Sequence, residues 1–233
     1  MTGVPSELRR FEGADPPALA CLAWRLPAPL RVASTAPVGG GIGWRDWVLN
    51  IQVPDGYARR DTDEHVAEVA RAVGLEGTGV GMLTAADVDR VAAAEEAQDG
   101  VRVEATVGIS LPVWAAAPPE VAEREGWVRA GAGAGVGARV GAGRPGTINI
   151  VAFVPVAHGD AALANLLCTV TEAKAQALAD AAVPGTGTAS DAVTVLCPAD
   201  GPVEPFGGPR SAYGAPVARA AYDGLRAGIG GRA

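Results

Sequence analysis

Residues 144–174 read Arg-Pro-Gly-Thr-Ile-Asn-Ile-Val-Ala-Phe-Val-Pro-Val-Ala-His-Gly-Asp-Ala-Ala-Leu-Ala-Asn-Leu-Leu-Cys-Thr-Val-Thr-Glu-Ala-Lys, and two periodicities meet in them. From 147 to 154 the side chains are β-branched or apolar with Asn149 alone among them, which predicts a strand buried on both faces. Asp160 then stands at an N-cap position. Leu163, Leu166, Leu167, Val170, Ala177, Leu178 and Ala181 recur at helical spacing after it, which predicts a helix over 160–181. A buried strand feeding a long helix makes the chain a mixed α and β protein.

That helix carries two polar anomalies. Lys174 falls in the middle of the apolar stripe, while Asn165, Thr169, Glu172 and Gln176 gather on the opposite face. Of the 19 basic residues, every one except Lys174 is Arg. A chain that uses Arg for positive charge yet keeps one Lys on a core face suggests a role guanidinium cannot fill. The plainer reading is a packed stem whose ammonium reaches a carboxylate, and both stand at this point. Asparagine is equally scarce, at Asn50, Asn149 and Asn165.

At 233 residues the chain can bury roughly 70% of its unfolded surface. With 32 Gly and 18 Pro it is turn-rich and not a helical bundle. The net charge of −7, with no basic run longer than Arg9-Arg10 or Arg59-Arg60, disfavours nucleic acid as a partner. No apolar run is long enough for a bilayer and no leader pattern opens the sequence, so a cytoplasmic protein with no membrane partner is expected. Cys21, Cys168 and Cys197 lie in apolar stretches and read as buried free thiols. His65 and His158 complete no metal-ligand spacing, so no metal is expected.

Outward from the central stretch, strands are predicted over 30–35, 46–53, 77–83, 101–109 and 192–197. Helices are predicted over 61–73, from Thr84-Ala85-Ala86-Asp87 to about Gln98, over 120–125 and over 211–229. Gly74 serves as a helix stop, Thr84 and Asp87 as a capping box, and His65 lies off its helix's apolar stripe as an exposed residue. Gly39-Gly40-Gly41 follows the first strand either as a hairpin turn or as a close backbone approach for a ligand. Residues 130–143 are almost wholly Gly and Ala and form a loop. The expected class is α+β: mixed sheets covered by helices in a layered sandwich. One domain spans 29–229, with residues 1–28 as an extension or first strand of it.

Several short motifs recur in a definite order: Ser34-Thr35-Ala36-Pro37-Val38-Gly39-Gly40-Gly41, Asn50-Ile51-Gln52-Val53-Pro54, Gly81-Met82-Leu83-Thr84-Ala85-Ala86-Asp87-Val88, Ala105-Thr106-Val107-Gly108-Ile109-Ser110, Gly146-Thr147-Ile148-Asn149-Ile150, Thr171-Glu172-Ala173-Lys174 and Gly185-Thr186-Gly187-Thr188-Ala189-Ser190-Asp191-Ala192. Together they resemble the adenosylcobinamide amidohydrolase family. The segment after Ser110 departs from the family's small polar residues, reading Leu111-Pro112-Val113-Trp114, and 130–143 looks enlarged.

The resemblance implies hydrolysis of the amide between aminopropanol and the corrin ring, giving adenosylcobyric acid for coenzyme B12 salvage. The corrinoid is then the substrate, no cofactor is implied, and a homo-oligomer is compatible with it. Amide cleavage needs a nucleophile or activated water, a proton donor for the amine and stabilisation of an oxyanion. Candidate catalytic residues are Lys174 or Glu172 as base, Asn149 with the Thr186–Thr188 backbone as oxyanion donors, and Thr188 and Asp191 beside them. Glu172 and Lys174 lie about 200° apart on the helix, so one of them is structural. Candidate substrate contacts are Gly39, Gly40, Gly41, Asn50, Thr84, Asp87, Thr106, Ser110, Thr147, Asn165 and Thr186. Rival readings are a non-catalytic corrinoid- or nucleotide-binding module, and a self-processing hydrolase whose Thr147 or Thr188 becomes a new N-terminus.

Overall fold

The computed structural model describes residues 4–11, 19–54, 57, 59–124 and 146–231. Its strands are β1 (Glu7–Phe11), β2 (Leu19–Ser34), β3 (Gly41–Gln52), β4 (Gly79–Thr84), β5 (Ala92–Glu96), β6 (Val101–Val107), β7 (Ile148–Phe153), β8 (Ala157–His158), β9 (Ala192–Cys197) and β10 (Val203–Glu204). Its helices are α1 (Thr62–Ala72), α2 (Pro119–Arg124), α3 (Asp160–Asp180) and α4 (Gly214–Gly230). The main sheet runs β4-β3-β2-β9-β7-β6-β5, with β1 also on β2, and β8 and β10 pair separately. Parallel pairs β3/β4 and β7/β9 sit within an otherwise antiparallel main sheet.

A break in β2 lets this sheet fold over itself. The β2–β3 register shifts between Arg25 and Leu30, where Pro27 and Pro29 stand and can donate no ladder hydrogen bonds. The first half of β2 pairs with β1 and β3, and the second half pairs with β3 and β9. The two halves of the sheet then face each other across Leu22, Trp24, Val48, Met82, Phe153 and Leu196. Helices α3 and α4 cover the outer face of β6, β7 and β9 through Leu163, Leu166, Val170, Val217 and Leu225. Helix α1 covers the other half through Val66 and Val69 against Leu49 and Ile51. The expected layered sandwich of mixed sheet and helices is what forms.

Several local expectations change. The helix expected to open at Thr84-Ala85-Ala86-Asp87 and run to about Gln98 is instead the end of β4 at Thr84, a short 3-10 turn, Val88–Arg90, and strand β5. Helix-forming Ala and Glu are overridden because the Asp99-Gly100 turn, with Gly100 at φ 67°, folds β5 back on β6. Ala92 and Ala94 are then small enough for α4 to approach through Gly224 and Gly228. Gly159, not Asp160, is the N-cap of α3, and Asp160 instead pairs with Arg31 at 2.6 Å. His65 is buried rather than exposed, with Nδ1 2.6 Å from Tyr57 Oη. Cys168 is exposed, while Cys21 and Cys197 are buried as expected. Residues 1–28 contain β1 and the first half of β2. The Gly/Ala-rich stretch 130–143 lies outside the described residues. Among the described residues no helix is long and apolar enough to cross a membrane.

Candidate functional site

Helix α3 runs back along β7 after a short connection, which returns Lys174 to the N-terminal end of β7, beside the turn that opens β9. There Lys174 Nζ donates to Asp191 Oδ2 at 2.5 Å, and both side chains are only 8% exposed. Burial of this kind holds a charge pair only where the remaining lone pairs are also satisfied. Asp191 meets that condition: Oδ1 accepts from Ile148 N at 2.9 Å and Thr188 Oγ1 at 2.5 Å, and Oδ2 also accepts from Thr188 N at 3.0 Å. Four donors on two oxygens leave this carboxylate no free lone pair. It positions its neighbours and is not placed to accept a proton. Among the described residues Lys174 meets no second acceptor, so two of its three N–H donors remain beyond the one given to Asp191.

The 185–191 turn wraps closely around this pair. A Cβ on Gly187 would lie 2.3 Å from Asp191 Oδ2 and 2.6 Å from Lys174 Nζ, so only glycine fits. The Thr186 N–H donates to Val113 O, and Thr186 Oγ1 accepts from Ala115 N at 3.0 Å. Thr188 N is held by Asp191, which leaves Gly187 as the N–H of these three with no acceptor among the described residues. Beside the turn, Thr147 Oγ1 and Ser190 Oγ share a hydrogen bond of 2.9 Å. Gly146 and Gly108 are packed so tightly that a Cβ on Gly146 would stand 2.1 Å from Gly108 O and 2.9 Å from Ser110 N. The backbone of Ser110 therefore borders the same place, with its side chain exposed.

A second polar group lies behind the first, between the facing halves of the sheet. Asn50, Thr106 and Asn149 are 1%, 1% and 2% exposed. Asn149 Nδ2 donates to Asn50 Oδ1 at 2.8 Å and to Leu83 O at 3.1 Å, and Asn50 Nδ2 donates to Thr106 Oγ1 at 2.9 Å. Both Asn149 amide protons are thus engaged within the protein, which leaves none for an oxyanion. Thr84, next to Leu83, caps its own turn by accepting from Ala86 N.

The other expected residues are placed apart from these groups. Glu172 and Asn165 are exposed on the outer side of α3, so Lys174 is the member of the Glu172/Lys174 pair that faces inward. Asp87 accepts from Asp89 N at the start of the 3-10 turn. Gly39 and Gly41 have φ of 65° and 85° and form the β2–β3 turn with Gly40. Arg45 donates to the carbonyls of Gly39 and Gly40, and Gly39 lies against Gly79 O, which accounts for the glycines structurally. Ser190 is the residue missing from the expected set. Its place inside the Gly185-to-Ala192 motif was its only signal. Among the described residues no group of three or more His, Cys, Asp or Glu is placed to hold a metal.

The family model for adenosylcobinamide amidohydrolases matches residues 6–232. The adenosylcobinamide amidohydrolase of Halobacterium salinarum is 32% identical over 194 residues, which is 83% of this chain and 78% of that protein. The protein of the same name from Methanosarcina mazei is 27% identical over 206 residues, 84% of this chain and 89% of its own. A solved β-aminopeptidase from a Burkholderia species aligns over 98% of this chain and 83% of its own, at 12% identity and a TM-score of 0.44. A Pyrococcus horikoshii structure covers the same shares at 10% identity and a TM-score of 0.45. Matched by the family model from residue 6 to residue 232, this chain belongs to the adenosylcobinamide amidohydrolase family.

Proposed function

We propose that this chain hydrolyses the amide joining aminopropanol to the corrin ring of adenosylcobinamide, releasing adenosylcobyric acid for coenzyme B12 salvage, and that the bond is cut beside Lys174 and Asp191. Family membership supports the reaction. The observation that carries the location is the buried pair itself: the chain's only lysine, locked to a fully bonded carboxylate, with two ammonium protons still to give.

In this reading Lys174 acts as a donor and not as a free amine. Together with the Gly187 N–H it faces the oxygen that becomes negative when the carbonyl is attacked, where fixed donors in a dry setting act most strongly. The attacking oxygen is water held on the Thr147–Ser190 hydroxyl pair, or one of those hydroxyls, in which case the ester left after the amine departs is cleaved by a water that supplies the acid's oxygen and returns the hydroxyl proton. Lys174 passes a proton to the departing aminopropanol nitrogen and regains one from the attacking oxygen, so the step is proton-neutral. Asp191 holds Lys174, Thr188 and the start of β7 in register. A cytoplasmic location and assembly into a homo-oligomer belong to the same proposal.

Mass spectrometry of adenosylcobinamide incubated with wild type, Lys174→Met, Ser190→Ala and Glu172→Gln tests it. Wild type and Glu172→Gln should yield adenosylcobyric acid and free aminopropanol, and Lys174→Met should yield none. A folded Lys174→Met enzyme turning over within threefold of wild type would place the chemistry elsewhere. Wild type that binds the corrinoid without cutting it would favour a binding module. Intact mass near 23.4 kDa argues against self-processing at Thr147 or Thr188, and two fragments argue for it.

A further inference from the structure

The Asn149 amide has its orientation fixed by a backbone group. Leu83 O can only accept, so the atom facing it is Nδ2, and the second Nδ2 proton goes to Asn50 Oδ1. That turns Asn50 Nδ2 toward Thr106 Oγ1, which therefore accepts and must send its own proton elsewhere. Two groups remain. Asn149 Oδ1 is buried with no donor among the described residues, and the one side-chain hydrogen bond of Thr106 Oγ1 among them is the one it accepts from Asn50, which leaves its proton without an acceptor there. Buried polar atoms are rarely left this way without a reason.

The register of the sheet sets these leftovers side by side. Thr106 lies directly opposite Asn149 in the antiparallel β6–β7 pair, a position that brings Cβ atoms within about 4.5–5.5 Å. An acceptor and a hydroxyl donor at that separation are the complement of a carboxamide, which offers an N–H and a C=O from one planar group.

We propose that Thr106 and Asn149 form a carboxamide-reading subsite, in which a substrate amide donates N–H to Asn149 Oδ1 and accepts at C=O from Thr106 Oγ1. The assignment rests on the amidohydrolase reading for the identity of the ligand. That substrate supplies the chemistry in two places: the amide that is cut and the carboxamides around the corrin ring.

Equilibrium binding of adenosylcobinamide, read from the corrinoid's visible absorbance, is compared for wild type, Thr106→Val and Thr106→Ser, with steady-state kinetics and a thermal melt of each. Thr106→Val should weaken binding or kcat/KM about 10- to 100-fold, the worth of one buried hydrogen-bond partner, while Thr106→Ser stays within threefold. A fall in kcat at constant KM assigns the subsite to the scissile amide, and a rise in KM at constant kcat assigns it to a peripheral carboxamide. Wild type should also bind adenosylcobinamide over a corrinoid whose carboxamides are replaced by carboxylates, and Thr106→Val should lose that preference. A folded Thr106→Val protein with wild-type binding, kinetics and preference overturns the subsite. So does a water fixed between Asn149 and Thr106 in both free and corrinoid-bound crystals. If wild type binds without turnover, the catalytic reading fails and the Val/Ser contrast in binding still decides the subsite.

Discussion

Replacing Lys174 by Met removes one of the four donors on Asp191 and leaves Ile148 N, Thr188 N and Thr188 Oγ1 in place. Methionine nearly conserves the packed volume, so the cost is mainly the unpaired buried charge. Breaking a buried ion pair from one side costs about 3–5 kcal/mol, and the surviving donors put Lys174→Met near the lower end, about 3 kcal/mol. Asp191→Ala is harsher. It strands the ammonium and also two backbone N–H groups, each worth about 1–3 kcal/mol when buried and unpaired, so it should reach about 5 kcal/mol or more. Against a total stability of about 5–15 kcal/mol, Lys174→Met folds and Asp191→Ala is marginal. Urea unfolding followed by tryptophan fluorescence measures both. A Lys174→Met cost below about 1 kcal/mol, or an Asp191→Ala cost smaller than that of Lys174→Met, would refute the picture of Asp191 as the hub of this site.

Gly187→Ala should lower turnover sharply and cost about 1–3 kcal/mol, because the added methyl meets Asp191 and Lys174; a crystal structure of an active variant with the pair undisturbed would contradict this. Burial holds the His65 imidazole below its ordinary value of 6.5. The unfolded chain then binds a proton that the folded one refuses, so stability is present above pH 6.5 and is lost as pH falls through the lowered folded value. His65→Gln should flatten that slope in thermal melts across pH 5–7. Burial pushes the Cys21 thiol up to about 12 and also raises Cys197, whereas Cys168 is exposed. A thiol reagent at about pH 8 should label one cysteine in native protein, Cys168, and all three after unfolding. Early labelling of Cys21 would show that the β1–β2 side opens readily.

The β7–α3 unit was legible because its apolar positions obey one of two periods, and Asn149 and Lys174 stood out as the polar residues breaking them. Asp191 and Thr188 were visible as a crowded turn, though nothing local showed that all four lone-pair directions of Asp191 would be filled. The Asn50–Thr106–Asn149 chain joins residues 56 and 99 positions apart, a meeting created by the fold of the sheet at Pro27 and Pro29. No window of sequence contains it. Residues 92–96 misled because Ala and Glu favour a helix in isolation, and pairing with β6 decided otherwise. The informative signal there was Asp99-Gly100. His65 likewise looked solvent-facing by helical period, and Tyr57 covers it from outside the helix.

Strand β9 lies between β2 and β7, yet it is the last strand of the main sheet to be synthesised. The Ser34–Thr194 contact that seats it closes a loop of 160 positions. At about 5–20 residues per second, the second half of β2 waits on the order of ten to thirty seconds for its neighbour, and β7 also waits with one bare edge. Such edges are templates for pairing with other chains. The nascent chain should therefore depend on holding factors until residue 197 has emerged, and a truncation before β9 should aggregate instead of leaving a smaller folded core.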